Sequence, residues 1–98
     1  MLLIGLDRDG TLHPDYEYLG REENWKDGIM LYPDVVGAIN ALKGKGKVVV
    51  CTNQAGVARG FFTKEREEEV NSYIRDMLHN HGAYVDGWAG VLWPWRRG

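Results

Sequence analysis

Two short apolar runs without polar interruption lie near the beginning and the middle of the chain. Residues 2–6 read LLIGL and residues 47–52 read KVVVCT. Continuous apolar runs of this length are typical of parallel strands that are covered on both faces. We therefore expect both segments to be strands of a parallel sheet, each buried on its two faces.

The segment between these strands carries the pattern of an amphipathic helix. Pro33 and Asp34 suit the first turn of a helix, and Gly44 and Gly46 suit its end. Apolar residues recur at helical spacing between these signals, so that one face should pack on the sheet. The residues of this face are Val35, Val36, Ile39 and Leu42.

The longest helical pattern covers residues 64–81, with Thr63 as the predicted N-cap. Its apolar stripe consists of Val70, Tyr73, Ile74, Met77, Leu78 and His81. The charged run at residues 65–69 (EREEE) is interpreted as a solvated face opposite this stripe. Residues 84–93 follow as a third strand, so strands and helices alternate. This alternation predicts an α/β fold with a parallel sheet.

Polar groups follow both apolar strands directly. Asp7 and Asp9 come after the first strand, and Thr52 and Asn53 end the second. A right-handed crossover places the carboxyl ends of two parallel strands side by side, where open α/β sheets bind ligands. We expect these four side chains to face one crevice. The alternative interpretation is an ordinary acidic turn at residues 7–11.

Residues 12–31 show neither helical nor strand periodicity. A connection of this length is usually functional or disordered, and its aromatic residues Tyr16, Tyr18 and Trp25 favour order. Because the loop leaves directly from Asp9, we expect it to cover the mouth of the crevice and to influence substrate choice. For each ring taken singly, simple anchoring of the loop is an equally good interpretation.

Length and composition limit the remaining possibilities. With 98 residues the chain forms at most one small domain, and its formal net charge of −2 makes nucleic acid an unlikely partner. Its single cysteine, Cys51, allows neither an internal disulfide nor a cysteine-cluster zinc site. No segment has the length of a membrane span or the pattern of a signal peptide, so a cytoplasmic location is expected.

Residues 7–11 (DRDGT) and 52–60 (TNQAGVARG) together resemble the first two motifs of the haloacid dehalogenase (HAD) superfamily of phosphatases. The longer second motif is most similar to the branch of the heptose-bisphosphate and histidinol-phosphate phosphatases. Trp25 and the sequence Leu31-Tyr32-Pro33 also resemble the polynucleotide 3′-phosphatases, which are the alternative enzyme class. The resemblance implies a Rossmann-like three-layer α/β/α fold with a parallel sheet.

The resemblance also implies roles for individual residues. Asp7 would be the nucleophile that forms an aspartyl-phosphate, and Asp9 would be the general acid and base. Mg²⁺ would be held by the Asp7 carboxylate and the Asp9 backbone carbonyl. Thr52 and Asn53 would bind the transferring phosphoryl group, while Arg59 would bind a second substrate anion or form a structural ion pair. The expected substrate is a small phosphorylated sugar or alcohol.

The chain departs from the family after its third strand. The family's third motif, a Lys or Arg, and its fourth, an acidic pair, are not found, although Arg96 and Arg97 could be a remnant of the third. Trp93-Pro94-Trp95 stands where this branch often carries a zinc loop, so no zinc is expected. We interpret residues 1–98 as one HAD-like domain that lacks the C-terminal part of the fold.

The missing part has a structural consequence. Residues 2–6 would form an exposed apolar edge, which natural proteins avoid. We therefore expect a partner chain or self-association to cover this edge. A function as an inactive HAD-like fragment or binding module is the alternative to catalysis.

Overall fold

The computed structural model of the chain describes residues 2–16, 18–53 and 55–91, apart from the side chains at positions 55 and 91. Strands and helices alternate along it as the sequence pattern predicts. The elements are β1 (Leu3–Asp7), α1 (Val35–Lys43), β2 (Lys47–Asn53), α2 (Ala55–Ala58), α3 (Lys64–Asn80) and β3 (Gly87–Val91).

The three strands form one parallel sheet in the order β1-β2-β3. Asp7 at the end of β1 pairs with Cys51, and Asn53 at the end of β2 pairs with Val91. The carboxyl ends of all three strands therefore lie at one edge of the domain. The predicted α/β class with a parallel sheet is confirmed.

Both long helices cover the same face of the sheet. The two crossovers step in the same direction across the sheet, and right-handed connections of this kind place their helices on one side. Ile39 of α1, Val50 of β2 and Ile74 of α3 accordingly belong to one hydrophobic cluster. Within the described ranges, no helix covers the opposite face of the sheet.

The prediction that both strands are buried on two faces is wrong for this reason. Along β2, Val48 and Val50 are fully buried on the helical face, whereas Val49 and Cys51 on the other face are only half-buried. Along β1, exposed and half-buried residues alternate. An apolar run indicates a strand whose two faces are suited to burial, but the run does not show that elements are present to cover both faces.

Strand β1 is one edge of the described sheet. Leu2 is 57% exposed and Leu3 is 69% exposed at this edge. The predicted exposed apolar edge is therefore present in the described part of the chain.

Helix α3 agrees with the prediction at its start and along most of its stripe, but it ends at Asn80, so His81 is an exposed C-cap and not part of the stripe, and its charged run also differs. The Thr63 hydroxyl accepts a hydrogen bond from the Arg66 amide at 3.1 Å, which confirms the N-cap. Glu67, by contrast, is 1% exposed and not solvated. It lies three residues before Val70 and seven before Ile74, which is the spacing of the buried stripe.

The described part of β3 ends at Val91, and residues 92–98 lie outside the described residues. The predictions about Arg96 and Arg97 and about Trp93-Pro94-Trp95 therefore concern residues outside the described ranges. The same holds for Gln54 of the second motif. Among the helices that are described, none has both the length and the apolar character of a bilayer span.

Two glycines provide a test of this architecture. A Cβ at Gly46 would collide with the backbone carbonyl of Leu2, where β1 and β2 begin side by side. We expect Gly46→Ala to lower the free energy of unfolding by about 1–3 kcal/mol, the usual cost of overpacking. Gly37 lies inside α1, and a methyl group there would extend into open space, so Gly37→Ala should raise it by about 0.5–1 kcal/mol.

Urea denaturation of both variants checks this pair. Equal stability of Gly46→Ala and the wild type would contradict the close approach of the two strands.

Candidate active site

Asp7 lies at the carboxyl end of β1 on the face without helices. It alternates in phase with Leu3 and Gly5 along the strand, and all three residues are exposed. Arg8 follows with the opposite orientation and enters the helical side, where it is 3% exposed. The strand end thus separates an accessible carboxylate from a buried guanidinium.

The Arg8 guanidinium is held by three side chains. Its Nη1 donates to Glu67 Oε1 at 2.7 Å and to Asn71 Oδ1 at 2.6 Å, both from α3. Its Nη2 donates to Asp9 Oδ1 at 3.1 Å. A buried charge requires such partners, and the two carboxylates supply opposite charge on either side of the guanidinium.

The His13 ring lies near the same carboxylate without a hydrogen bond to it. Its ring is buried, its Nδ1 lies 2.7 Å from the Pro14 carbonyl, and its Nε2 lies 3.8 Å from Asp9 Oδ1. Because a carbonyl only accepts, Nδ1 carries the hydrogen. Burial lowers the pKa of His13, although the Pro14 carbonyl and Asp9 oppose this shift. The ring is therefore neutral near pH 7.

Glu67 and Thr52 are buried neighbours on the helical side of the sheet. Burial raises the pKa of Glu67, and the charge of Arg8 opposes the shift. The Thr52 hydroxyl also interacts with Glu67 and opposes the rise in the pKa of that carboxyl. Within the described residues this buried hydroxyl oxygen has no hydrogen-bond partner, so it retains its capacity for a ligand.

A small cavity at the carboxyl edge of the sheet brings several of these groups together. Asp9 and Asn53 line it, together with Tyr18 and Leu19 from the long loop. The other lining residues are Arg8, Gly56, Phe62 and Glu67. The long loop therefore contributes to the same cavity as polar groups that the sequence assigned to the crevice.

The long loop also lines a larger, open cavity of about 440 Å³. Tyr18 and Leu19 line both cavities, so the two are neighbours. Trp25 lies edge-on to Tyr73 of α3 with ring centroids 5.4 Å apart. This contact favours the interpretation that Trp25 anchors the loop to the helix. A role of the loop in substrate choice stays a prediction.

The structure thus groups some of the predicted site residues and separates others. Asp9 and Asn53 share the small cavity, and Thr52 lies next to Glu67. Asp7 is exposed on the face without helices, opposite to the face of Thr52. Arg59 is exposed after α2, with its guanidinium carbon 5.8 Å from the centre of the Tyr18 ring. The catalytic and binding roles of these residues stay predictions.

Sequence reasoning missed four buried or half-buried residues of the network around Asp9. Two of them carried a usable signal. Arg8 stands between two acids at a strand end, so alternation directs it toward the helical face. Glu67 is in phase with Val70 and Ile74 on α3. The complete set is Arg8, His13, Glu67 and Asn71.

The Asp7 carboxylate and the Asp9 backbone carbonyl are oxygen donors of the chemical type that fits a magnesium ion. Mg²⁺ prefers oxygen ligands and is commonly bound by one or two carboxylates, with waters and phosphate oxygens as its other ligands. No group of three or more His, Cys, Asp or Glu side chains is arranged for a metal in the part of the chain that the structure describes.

Comparison with known proteins gives the class of this chain. No protein-family model matches it. A solved structure from Mesorhizobium loti, assigned as a HAD-like phosphatase, superposes with a TM-score of 0.73 at 34% identity, over 93% of this chain and 42% of that one. The chain belongs to the HAD-like fold class, and the resemblance based on its two motifs is confirmed.

Within this class, the chain is similar to heptose-bisphosphate phosphatases. The D-glycero-beta-D-manno-heptose-1,7-bisphosphate 7-phosphatase of Haemophilus influenzae is 37% identical over 87 residues, which cover 86% of this chain and 44% of that protein. The D,D-heptose 1,7-bisphosphate phosphatase of B. bronchiseptica, solved with magnesium and phosphate, has a TM-score of 0.74 at 28% identity over 96% of this chain and 50% of that one. The chain spans about half the length of these relatives.

The neutral, buried ring of His13 predicts a pH dependence of stability. Because its pKa is lower in the folded state, the unfolded state binds more protons below the unfolded value of 6.5, and stability falls as the pH drops from about 6.5 toward the folded pKa. The slope for this one group is at most about 1.4 kcal/mol per pH unit. Glu67, whose folded pKa is raised, contributes with the opposite sign above pH 4.5.

The variant His13→Asn isolates the histidine contribution, because its amide retains a donor for Pro14. We expect a smaller loss of stability between pH 7 and pH 5 than in the wild type, measured by urea denaturation at each pH. Parallel curves for the two proteins would contradict a neutral buried His13.

Proposed function

We propose that this chain provides the nucleophile half of a Mg²⁺-dependent phosphomonoester hydrolase of the HAD type, acting on a small phosphorylated sugar or alcohol. The observation that carries the proposal is that the chain leaves β1 through two acidic residues, Asp7, which is exposed, and Asp9, which is held by a buried guanidinium. The similarity of the chain to named phosphatases over most of the chain's length also supports the proposal.

The proposed reaction has two steps. A carboxylate oxygen of Asp7 bonds to phosphorus while the bond from phosphorus to the alcohol oxygen breaks, and protonated Asp9 gives its proton to that oxygen. Water then attacks phosphorus, Asp9 takes up the proton, and the bond between Asp7 and phosphorus breaks. The products are the alcohol and inorganic phosphate, and both carboxyl groups return to their starting state.

The remaining residues bind rather than react in this scheme. The buried Thr52 hydroxyl and Asn53 would bind the phosphoryl group, and Arg59 a second anion of the substrate. Mg²⁺ would be held by the Asp7 carboxylate and the Asp9 backbone carbonyl, where it would neutralise charge on the phosphoryl oxygens. A cytoplasmic location also stays a prediction.

Phosphate release from a panel of sugar and alcohol phosphates tests this proposal. We expect release that requires Mg²⁺ and that falls to the protein-free rate in Asp7→Asn, because an amide cannot act as the nucleophile. Asp34→Asn is the matched control, since Asp34 is an exposed aspartate that precedes α1 and does not line the small cavity. Equal rates for Asp7→Asn and wild type would contradict the proposal and favour an inactive binding module.

The exposed edge of β1 is the basis of a second proposal, that a partner chain or a second copy pairs with this strand. Leu2 and Leu3 present apolar surface at an unpaired strand edge, which promotes association. If self-association provides the cover, sedimentation velocity at micromolar concentration should show a species larger than the monomer. Leu3→Glu should return it to the monomer, because the charge would be buried in the new contact.

Met30→Glu is the control for this experiment, since Met30 is 63% exposed and lies in the loop, not at the strand edge. A wild-type monomer that unfolds cooperatively at the same concentration would contradict self-association at β1.

Polynucleotide 3′-phosphatase activity has less support. Strand binding by phosphate contacts requires local basic surface and weakens with salt. The acidic groove on α3, lined by Glu65, Glu68, Glu69 and Asp76 among others, lies beside the loop that contains Trp25. We therefore keep the small phosphomonoester as the proposed substrate.

A further inference from the structure

We propose that Arg8 is a positioning residue: its guanidinium holds the side chain of Asp9 in one orientation at the cavity, and α3 holds the guanidinium through Glu67 and Asn71. This inference rests on the proposed role of Asp9 in proton transfer. Arg8 of the first motif and helix α3 would then both contribute to the proton-transfer step.

The geometry supports a fixed orientation. Nη1 of Arg8 is occupied by Glu67 at 2.7 Å and Asn71 at 2.6 Å, so the guanidinium plane is anchored from the helix. Nη2 then points at Asp9 Oδ1 at 3.1 Å. A planar guanidinium has a rigid arrangement of donors, so fixing one nitrogen also fixes the direction of the other.

Burial makes this arrangement obligatory. Arg8 is 3% exposed and Glu67 is 1% exposed, so water cannot replace either partner. Leaving one member of such a pair without its partner is strongly destabilising. Asp9, whose side chain is 19% exposed, lies at the cavity end of the series Asn71–Glu67–Arg8–Asp9. The buried contacts of Arg8 with α3 therefore restrain the orientation of the Asp9 carboxylate.

A lysine could not reproduce this role. Its ammonium is a single compact centre, whereas Arg8 uses two separate nitrogens for the helix and for Asp9. Arg8→Lys therefore keeps the charge but removes the coupling of directions. Glu67→Gln is complementary, because the amide oxygen still accepts from Nη1 while the countercharge is lost.

The first test does not depend on activity. Three-bond NMR couplings to Cγ report whether the Asp9 side chain occupies one χ1 rotamer or several. We expect values for one rotamer in the wild type and in Glu67→Gln, and averaged values in Arg8→Lys. Arg75→Lys is the control, because Arg75 is an exposed arginine of the same helix that contacts Ser72. A single Asp9 rotamer in folded Arg8→Lys would overturn the proposal.

If Arg8→Lys fails to fold, the variant Asn71→Ala provides the same test, since it removes one anchor of Nη1 from a half-buried position while Glu67 still balances the charge. Partial averaging of the Asp9 rotamer is then expected. An unchanged rotamer would overturn the proposal.

The second test separates positioning from general damage to the site. An alkyl phosphate requires a proton on its leaving oxygen, whereas p-nitrophenyl phosphate has a leaving group that departs without one. Arg8→Lys should lower kcat for the alkyl phosphate by about 10-fold or more beyond its effect on p-nitrophenyl phosphate, since general acid catalysis contributes roughly 10²–10⁴-fold. An equal decrease for both substrates would overturn the proposal.

The two tests fail in different ways. If the wild type releases phosphate from neither substrate, the proposed hydrolase function fails. The NMR couplings still decide whether Arg8 positions Asp9.

Discussion

A buried guanidinium is the constraint on which the rest of this structure depends. Arg8 lies on the helical side of the sheet, and its charge has to be balanced there, because an unpaired buried charge costs several kcal/mol. Glu67 and Asn71 meet this requirement from α3, while Asp9 meets it from the strand end. Set against a total stability of about 5–15 kcal/mol for a typical domain, that pairing leaves α3 little freedom to lie elsewhere.

The topology explains why the two faces of the sheet differ so much. Both crossovers step from β1 toward β3, so both long helices lie on one side and build one core with Val50. The opposite face carries Asp7, and β1 forms the edge. The relatives are about twice as long as this chain, and they share its fold over nearly all of its length.

The sequence was sufficient wherever the structure depends on local signals. The pattern of Val35 and Ile39 after Pro33 identified α1, and Thr63 identified the start of α3. Long-range partners were not predictable in this way. Arg8 and Glu67 are 59 positions apart, and the run EREEE masked the fact that Glu67 is in phase with the apolar stripe. The apolar pattern of β1 indicated a strand, but a pattern cannot report whether a second covering layer is present.

The strand order also affects how the sheet can form during synthesis on the ribosome. β2 pairs with β1 and β3 pairs with β2, so each strand meets a neighbour that has already been synthesised. Each crossover helix likewise packs on strands that flank it in the sequence. Pairing of the described strands therefore follows the order of their synthesis, so each strand can find its neighbour as soon as it emerges.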